Sequence, residues 1–253
     1  MGITKKVSAA ALITGIAVLV LAPSAMANRE YEVTINDLTG GPPVSPGPGG
    51  QPLSPPVAAT HKGKHEVFEV GQPASVGIRE IAENGNNAPL VAQLEADPFN
   101  VIADFDQAGA PLVPVGVPGD AMFDQSVTLT LEGSRNANRL SVATMLICTN
   151  DGFTGVDSLK LPQRIGASKV RRSSGYDAHT EQNTEDYAHM VPPCQGLIGD
   201  SSGEDGTDKS DPALAEGGVI EHHDGIVGGV DDLDPAIHGW TNPVARVEVE
   251  RTG

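Results

Sequence analysis

Residues 140–157 read LSVATMLICTNDGFTGVD, and this stretch decides the fold class. It begins with an almost unbroken apolar run, which predicts one fully buried strand over residues 140–148. The run ends in Thr149-Asn150-Asp151-Gly152, a sequence typical of a turn and carrying an acidic side chain. We therefore expect a core strand that delivers Asp151 to one end of the fold.

Alternating apolar and polar residues predict further strands elsewhere in the chain. They occupy residues 31–38, 126–132 and 244–250, and a shorter strand is expected at 64–70. Turn residues at 133–138 separate the strand at 126–132 from the apolar run. The two are therefore expected to pair as an antiparallel hairpin.

Two short helices are expected between the first strands and this hairpin. Residues 75–85 carry apolar side chains at helical spacing, with Ser75 at the start and Gly85 just past the end. A second helix is expected over 88–96. The acids that follow, Asp104, Asp106 and Asp124, match no calcium-loop spacing and are interpreted as solvated loop residues.

Composition favours one β-rich domain with long loops. The chain has 253 residues with 30 Gly, 20 Pro and only 4% aromatic residues. About 225 residues remain after the leader described below, enough for one such domain or for two small ones. We expect a single all-β antiparallel sandwich over 28–253, with a Pro/Gly-rich insertion near 40–56 and an irregular loop near 195–239.

The amino terminus has the pattern of a secretory signal peptide. Lys5 and Lys6 precede an apolar run from Val7 to Leu21, and Ala25-Met26-Ala27 forms a small-x-small cleavage site. A membrane anchor is the alternative, but the apolar run is short for a bilayer span. We expect residues 1–27 to be removed and the protein to be secreted, periplasmic or on the cell surface, without membrane insertion.

The net charge argues against two classes of partner. The formal charge of −17 counts Lys5 and Lys6, so a chain without them carries −19. Such a surface repels phosphate backbones and anionic lipid heads, which disfavours nucleic acids and membrane surfaces. Excess carboxylate is also compatible with solubility alone or with binding of divalent cations.

The two cysteines, Cys148 and Cys194, are expected to form a disulfide. An even number of cysteines in an exported chain favours pairing. Two free or metal-binding thiols are the alternative, but neither residue has the spacing of paired metal ligands.

Acidic side chains near the opening stretch predict a calcium site. Asp177 and Glu181 lie in one short loop, and a Cys148–Cys194 bond would enclose that loop and Asp151 in one covalent circuit. Calcium accepts many oxygen ligands in loose geometry. The alternative is that Asp151 is a turn acid and that Asp177 and Glu181 are surface acids.

Three motifs in order resemble the signatures of the spondin domain. They are TNDGFTGVD at 149–157, YDAHTE at 176–181 and NPVARVEVE at 242–250, and the resemblance also takes in LSPPVAATH at 53–61. The spondin domain is the amino-terminal module of F-spondin and of many short secreted bacterial proteins. The resemblance covers most of the chain from Tyr31 onward.

The resemblance implies a sandwich similar to the C2 arrangement, with calcium at one end. The family's ligand positions correspond to Asp151, Asp177 and Glu181. The animal pattern has aspartate at the third position, so Glu181 is a departure that bears on affinity. The insertion after Gly40 and the His-rich loop are further departures.

A second cluster, Glu221-His222-His223-Asp224 with His238, is the other candidate metal site. Imidazoles beside carboxylates can bind transition metals or act as general bases. The spacing is not that of a helical His-x-x-x-His site, and flanking glycines favour a surface loop. His222 and His223 therefore remain a weaker second candidate.

Catalytic motifs are lacking in the sequence. It has no P-loop, no His-Glu-x-x-His and no dinucleotide fingerprint. Ser173 or Ser174 could be combined with His179 and Asp177 into a catalytic triad, but residues this common are weak evidence for one. The expected function is a secreted, non-enzymatic, calcium-binding module that contacts an extracellular protein, matrix or polysaccharide. The alternative is a metal-dependent hydrolase or redox protein that uses His222 and His223.

Overall fold

The computed structural model describes residues 28–40, 50–63, 65–97, 100–229 and 231–253. The expected leader, residues 1–27, and most of the Pro/Gly-rich insertion, residues 41–49, lie outside these ranges. Among the described residues, none of the helices has the length and apolar character needed to cross a bilayer.

Within these described ranges, ten β-strands form two antiparallel sheets, which confirms the all-β sandwich. The four-stranded sheet has the order β4-β1-β10-β7, and the six-stranded sheet has the order β3-β2-β5-β6-β8-β9. The strands are β1 Arg29–Asp37, β2 Val57–Lys62, β3 Ile102–Gln107, β4 Ser126–Gly133, β5 Ala137–Met145, β6 Gly152–Lys160, β7 Ser168–Ser173, β8 Gly175–Asp177, β9 Glu221–His222 and β10 Ala245–Arg251.

The helices are short, and the first of them contacts β5 and β6 of the six-stranded sheet. They are α1 Val76–Asn84, α2 Ala88–Ala96, α3 Pro193–Ile198 and α4 Pro235–His238. The predicted caps of α1 are confirmed: the Ser75 side chain accepts the N–H of Ile78, and Gly85 has the left-handed conformation with φ 60°. The predicted second helix is confirmed as α2.

Strand β5 is buried on both faces, which explains its continuous apolar sequence. Leu140 and Val142 belong to the core between the two sheets. Ala143 and Met145 belong to a second core, beneath α1 and α2 on the other face of the six-stranded sheet. An alternating pattern would leave one face polar, so a strand covered by a sheet and by helices must be apolar throughout.

The predicted hairpin between β4 and β5 is wrong. β4 pairs with β1 in one sheet, whereas β5 pairs with β2 and β6 in the other. The turn after Gly133 therefore carries the chain from one sheet to the other. Local turn residues signal a change of direction, but they do not specify which strand becomes the neighbour.

Two other predictions of local structure are wrong. The segment expected as a strand at 64–70 forms bends and turns in its described part, and Val67 donates its N–H to the Asp157 side chain at 2.8 Å. Asp104 and Asp106 lie in β3 and not in a loop. Both errors come from short segments, in which tertiary pairing outweighs local propensity.

The carboxyl end of the Pro/Gly-rich insertion is packed and does not behave as a tether. Gln51 is fully buried, and its side-chain amide donates to the carbonyl of His238 at 2.7 Å. The side-chain oxygen of Gln51 accepts the N–H of Cys148 at 2.9 Å. This residue thus joins the end of the core strand to the segment that precedes β10.

Candidate metal site at the end of the core strand

The turn between β5 and β6 places Asp151 inside the fold. Thr149 fixes this turn, because its hydroxyl donates to the carbonyl of Leu146 at 2.7 Å and accepts the N–H of Gly152 at 2.9 Å. A Cβ on Gly152 would lie 2.4 Å from the Thr149 hydroxyl, so glycine is required there. Asp151 consequently has an exposed fraction of 0%.

One oxygen of Asp151 is held by the protein and the other is not. Oδ2 accepts the backbone N–H groups of Thr180 at 2.6 Å and Glu181 at 3.0 Å, and the Thr180 hydroxyl at 3.2 Å. Oδ1 is buried and has no hydrogen-bond partner among the described residues. Buried carboxylate oxygens are normally satisfied, so Oδ1 is an acceptor that remains available at this site.

Asp177 lies beside Asp151 because β8 pairs with β6. The register places Asp177 opposite Gly152, the residue that follows Asp151. Its Oδ1 accepts the N–H of His179 at 2.7 Å, and its Oδ2 accepts the side-chain amide of Asn183 at 2.7 Å. The loop that carries Asp177 therefore also holds its carboxylate in place.

The position of Asp151 disfavours its ionisation. Burial and, to a smaller extent, the negative charge of Asp177 raise the pKa of Asp151 to about 7, although the three hydrogen bonds to Oδ2 act in the opposite direction. A buried cation would reverse this balance by favouring both charged forms. Asp151 and Asp177 thus have the chemistry of hard-cation ligands.

The side chain of Glu181 points to a different neighbourhood. Its Oε1 accepts the backbone N–H of Asp211 at 2.5 Å. Burial, together with the negative charges of Glu83 and Asp211, raises the pKa of Glu181 to about 7. The structure therefore brings Asp151 and Asp177 together, while the carboxylate of Glu181 lies among other groups.

In the described part of the chain, three acids lie close enough together to bind one metal ion, and they are not the predicted calcium ligands. Ligand atoms of Asp186, Glu204 and Asp232 all lie within 4.8 Å of one another. Asp186 caps a helical turn by accepting the N–H of Ala188 at 2.8 Å, and Asp232 accepts the N–H of Tyr187 at 3.0 Å. These hydrogen bonds give Asp186 and Asp232 a structural role.

His222 and His223 lie on opposite sides of their extended segment. The His222 ring stacks on Tyr176 with a centroid distance of 5.3 Å, and the residue is exposed. The His223 ring packs edge-on against Trp240 at 5.1 Å and is buried. The structure thus does not bring the two imidazoles together around one ion.

The surface interpretation of this cluster is wrong for two of its histidines. His223 is 7% exposed and His238 is 0% exposed. Nε2 of His238 lies 2.6 Å from the hydroxyl of Tyr187, inside the fold. A two-residue strand such as β9 is too short to show a period of two, so the sequence held no signal for the burial of His223.

In the triad considered from the sequence, Ser173 with His179 and Asp177, the nucleophile does not contact the base. The hydroxyl of Ser173 is buried against Gly155, donating to its carbonyl and accepting its N–H. His179 Nδ1 instead lies 2.7 Å from Glu216. Within the described residues, Ser173 satisfies backbone groups and is not paired with a general base.

The predicted disulfide between Cys148 and Cys194 is present. It joins the end of the core strand to α3. The bond therefore anchors the start of residues 195–239, here called the excursion, close to the turn that carries Asp151. Across these residues the chain forms little regular structure apart from the end of α3, the two residues of β9 and the short α4.

The family model described as Spondin_N matches residues 48–183, which is more than half of the chain. The matched region includes Asp151, Asp177 and Glu181. It leaves out β1 and everything after Asn183, which includes the whole excursion and β10. No curated protein matches the sequence.

Proposed function

Since the chain belongs to the spondin N-terminal domain family, we propose that it is a calcium-binding module of an extracellular protein. Asp151 and Asp177 are its acidic ligands. Calcium accepts carboxylates and backbone carbonyls in flexible geometry, which suits two loops that meet at the end of a sheet.

The observation that carries this proposal is the unpartnered Oδ1 of Asp151. This oxygen is buried beside a second carboxylate, and no donor of the described residues reaches it. Two carboxylates in such a place are stabilised by a cation more than by any neutral group. When bound, calcium would supply the positive charge that links the β5–β6 turn to the loop after β8.

The chain's own residues prepare these ligands. The N–H groups of Thr180 and Glu181 fix Oδ2 of Asp151, so its other oxygen keeps one direction. Asn183 and the N–H of His179 fix Asp177. Hydrogen bonds to ligating carboxylates orient them and strengthen metal binding. The backbone N–H of Glu181 thus orients Asp151, while the side chain of Glu181 accepts a hydrogen bond from Asp211.

The role of the module is binding and not catalysis. Its disulfide is typical of an oxidising compartment, in agreement with an extracellular domain. Its acidic charge disfavours nucleic acids and anionic lipids. We assign it to adhesion or to contact with an extracellular protein, matrix or polysaccharide.

Isothermal titration of the EDTA-stripped protein with calcium tests the ion site. We expect saturable binding and a calcium-dependent rise in the melting temperature, because an ion that binds only the folded state stabilises it. Magnesium serves as the control ion, since its smaller size demands a stricter geometry. If calcium produces neither binding heat nor a shift in the melting temperature, the proposal is overturned.

Pull-down from a secreted fraction, with and without EDTA, tests the binding role. A partner retained only with calcium supports the adhesion assignment. Turnover of a substrate by the purified protein, lost on substitution of His222 or His223, would overturn it.

A further inference from the structure

Strand β9 places His223 near Asp177. β9 pairs with β8 so that Glu221 lies opposite Asp177, and the N–H of His223 donates to the carbonyl of Gly175 at 3.1 Å. Residues opposite each other in an antiparallel pair share a face, and so do residues two apart. The side chain of His223 therefore lies on the Asp177 face, diagonally across from this acid.

The ring of His223 is held in one orientation and in one tautomer. The N–H of Gly225 donates to Nδ1 at 2.9 Å, so Nδ1 is an acceptor and the proton of the neutral ring is on Nε2. Trp240 packs against the ring. Nε2 is buried, and no acceptor of the described residues reaches it.

The strands on either side of Asp177 thus each lead to an unpartnered group, and the two groups have opposite hydrogen-bonding character. Oδ1 of Asp151 is an acceptor without a donor, and Nε2–H of His223 is a donor without an acceptor. Asp177 is also the charged group that acts most strongly on the pKa of His223, opposing the decrease caused by burial. Since its Nε2 bears the proton, His223 is a hydrogen-bond donor and not a metal ligand.

We propose that His223 is a positioning residue for the calcium site and that calcium binding stabilises the packing of the excursion on the sheet. When Asp177 binds the ion, Nε2–H of His223 donates to its carboxylate, directly or through one water. This inference rests on the calcium site proposed above. His223 lies outside the residues that match the family, so the device belongs to this chain's own excursion.

The physical basis is the coupling between a ligand and its supporting hydrogen bond. A donor to a ligating carboxylate orients it and increases metal affinity. Linkage is reciprocal, so the ion must favour the docked excursion by the same factor. The Cys148–Cys194 bond anchors one end of the excursion, and His223 is the contact that responds to the ion.

Three variants test the proposal by calcium titration. His223→Leu removes the donor and should weaken calcium binding about tenfold. His223→Gln keeps a side-chain N–H and should restore most of that affinity. His222→Leu is the matched control, because the neighbouring ring stacks on Tyr176 on the opposite side, and its affinity should equal that of wild type.

Hydrogen exchange on the wild-type protein gives a measurement that needs no variant. Calcium should slow amide exchange at residues 221–225 and leave β1 unchanged. If wild type binds calcium but neither this exchange nor the affinity of His223→Leu changes, the inference is overturned and the calcium site stands. If wild type binds no calcium, the proposed site fails first, and the two failures are thereby distinguished.

Discussion

The backbone N–H of Glu181 donates to Oδ2 of Asp151 across 3.0 Å, although the carboxylate of Glu181 is bonded elsewhere. A single residue thus orients the buried acid with its main chain and fastens the excursion with its side chain. Sequence position alone suggested that both acids bind the same ion. The main-chain contact explains how residue 181 can serve the site without supplying a ligand oxygen.

Glu181→Ala should leave calcium affinity within a few-fold of wild type, because the backbone N–H to Asp151 is retained. Loss of the bond to Asp211 should speed amide exchange at residues 211–216. Calcium titration and hydrogen exchange check these two outcomes. Asp177→Ala is the comparison, and it should lose more than the tenfold typical of supporting residues. An equal loss of calcium affinity in both variants would show that the Glu181 carboxylate is a ligand.

Asp151→Asn should have opposite effects on the calcium-bound and calcium-free proteins. The amide oxygen of asparagine can still accept from Thr180 and Glu181, but the buried charge is gone. Calcium binding should be lost, while the protein in EDTA should melt at a higher temperature than wild type at pH 8. Titration and thermal unfolding measure these changes.

The control for this substitution is Glu204→Gln, in the acidic group that carries structural hydrogen bonds. It should change neither calcium affinity nor the melting temperature in EDTA. If Glu204→Gln removes calcium binding and Asp151→Asn retains it, the ion site has been assigned to the wrong acids.

Stability should fall with rising pH because of Asp37. This residue is fully buried, and burial raises its pKa from 3.8 to about 8, despite the bonds that its Oδ1 accepts from the N–H and hydroxyl of Thr39. Since its folded pKa exceeds its unfolded pKa, the folded state binds the proton more tightly. The free energy of unfolding therefore decreases from about pH 4 to about pH 8.

Asp37→Asn should flatten this pH dependence, since asparagine has no proton to release. Urea unfolding in EDTA at pH 5 and pH 9 should show a smaller loss for the variant than for wild type. Parallel pH profiles of the two proteins would mean that Asp37 ionises in the ordinary range.

The disulfide should contribute about 4 kcal/mol, as loop-closure entropy gives for a sequence separation of 46. Replacing Cys148 and Cys194 together by alanine avoids a free thiol and leaves the hydrogen bond from the N–H of Cys148 to Gln51 in place. Urea unfolding at neutral pH measures the loss. A difference below about 1 kcal/mol would show that the unfolded chain is already restrained.

Local signals predicted those elements whose cause is local. Helix α1 was predicted from Ser75 and Gly85, because capping depends on neighbouring backbone groups. Strands β1 and β10 were predicted because one face of each is buried and the other is solvated. The short strands β8 and β9 were not predicted, since three and two residues show no measurable period.

The sequence by itself determined the apolar core strand, the turn that follows it and the acidic residue in that turn. It also identified the cysteine pair, because in an exported chain two cysteines have one possible partner each. These features depend on composition and on contacts within a few residues. They therefore do not depend on which strand pairs with the core strand.

Only the tertiary structure decided which groups meet Asp151. Pairing of β8 with β6 brings Asp177 to it, while Asp211 draws the side chain of Glu181 away. Pairing of β9 with β8 then places His223 on the same face of the sheet as Asp177, from a segment whose sequence indicated a surface loop. Strand pairing joins residues that are distant along the chain, so no local pattern could have specified these contacts.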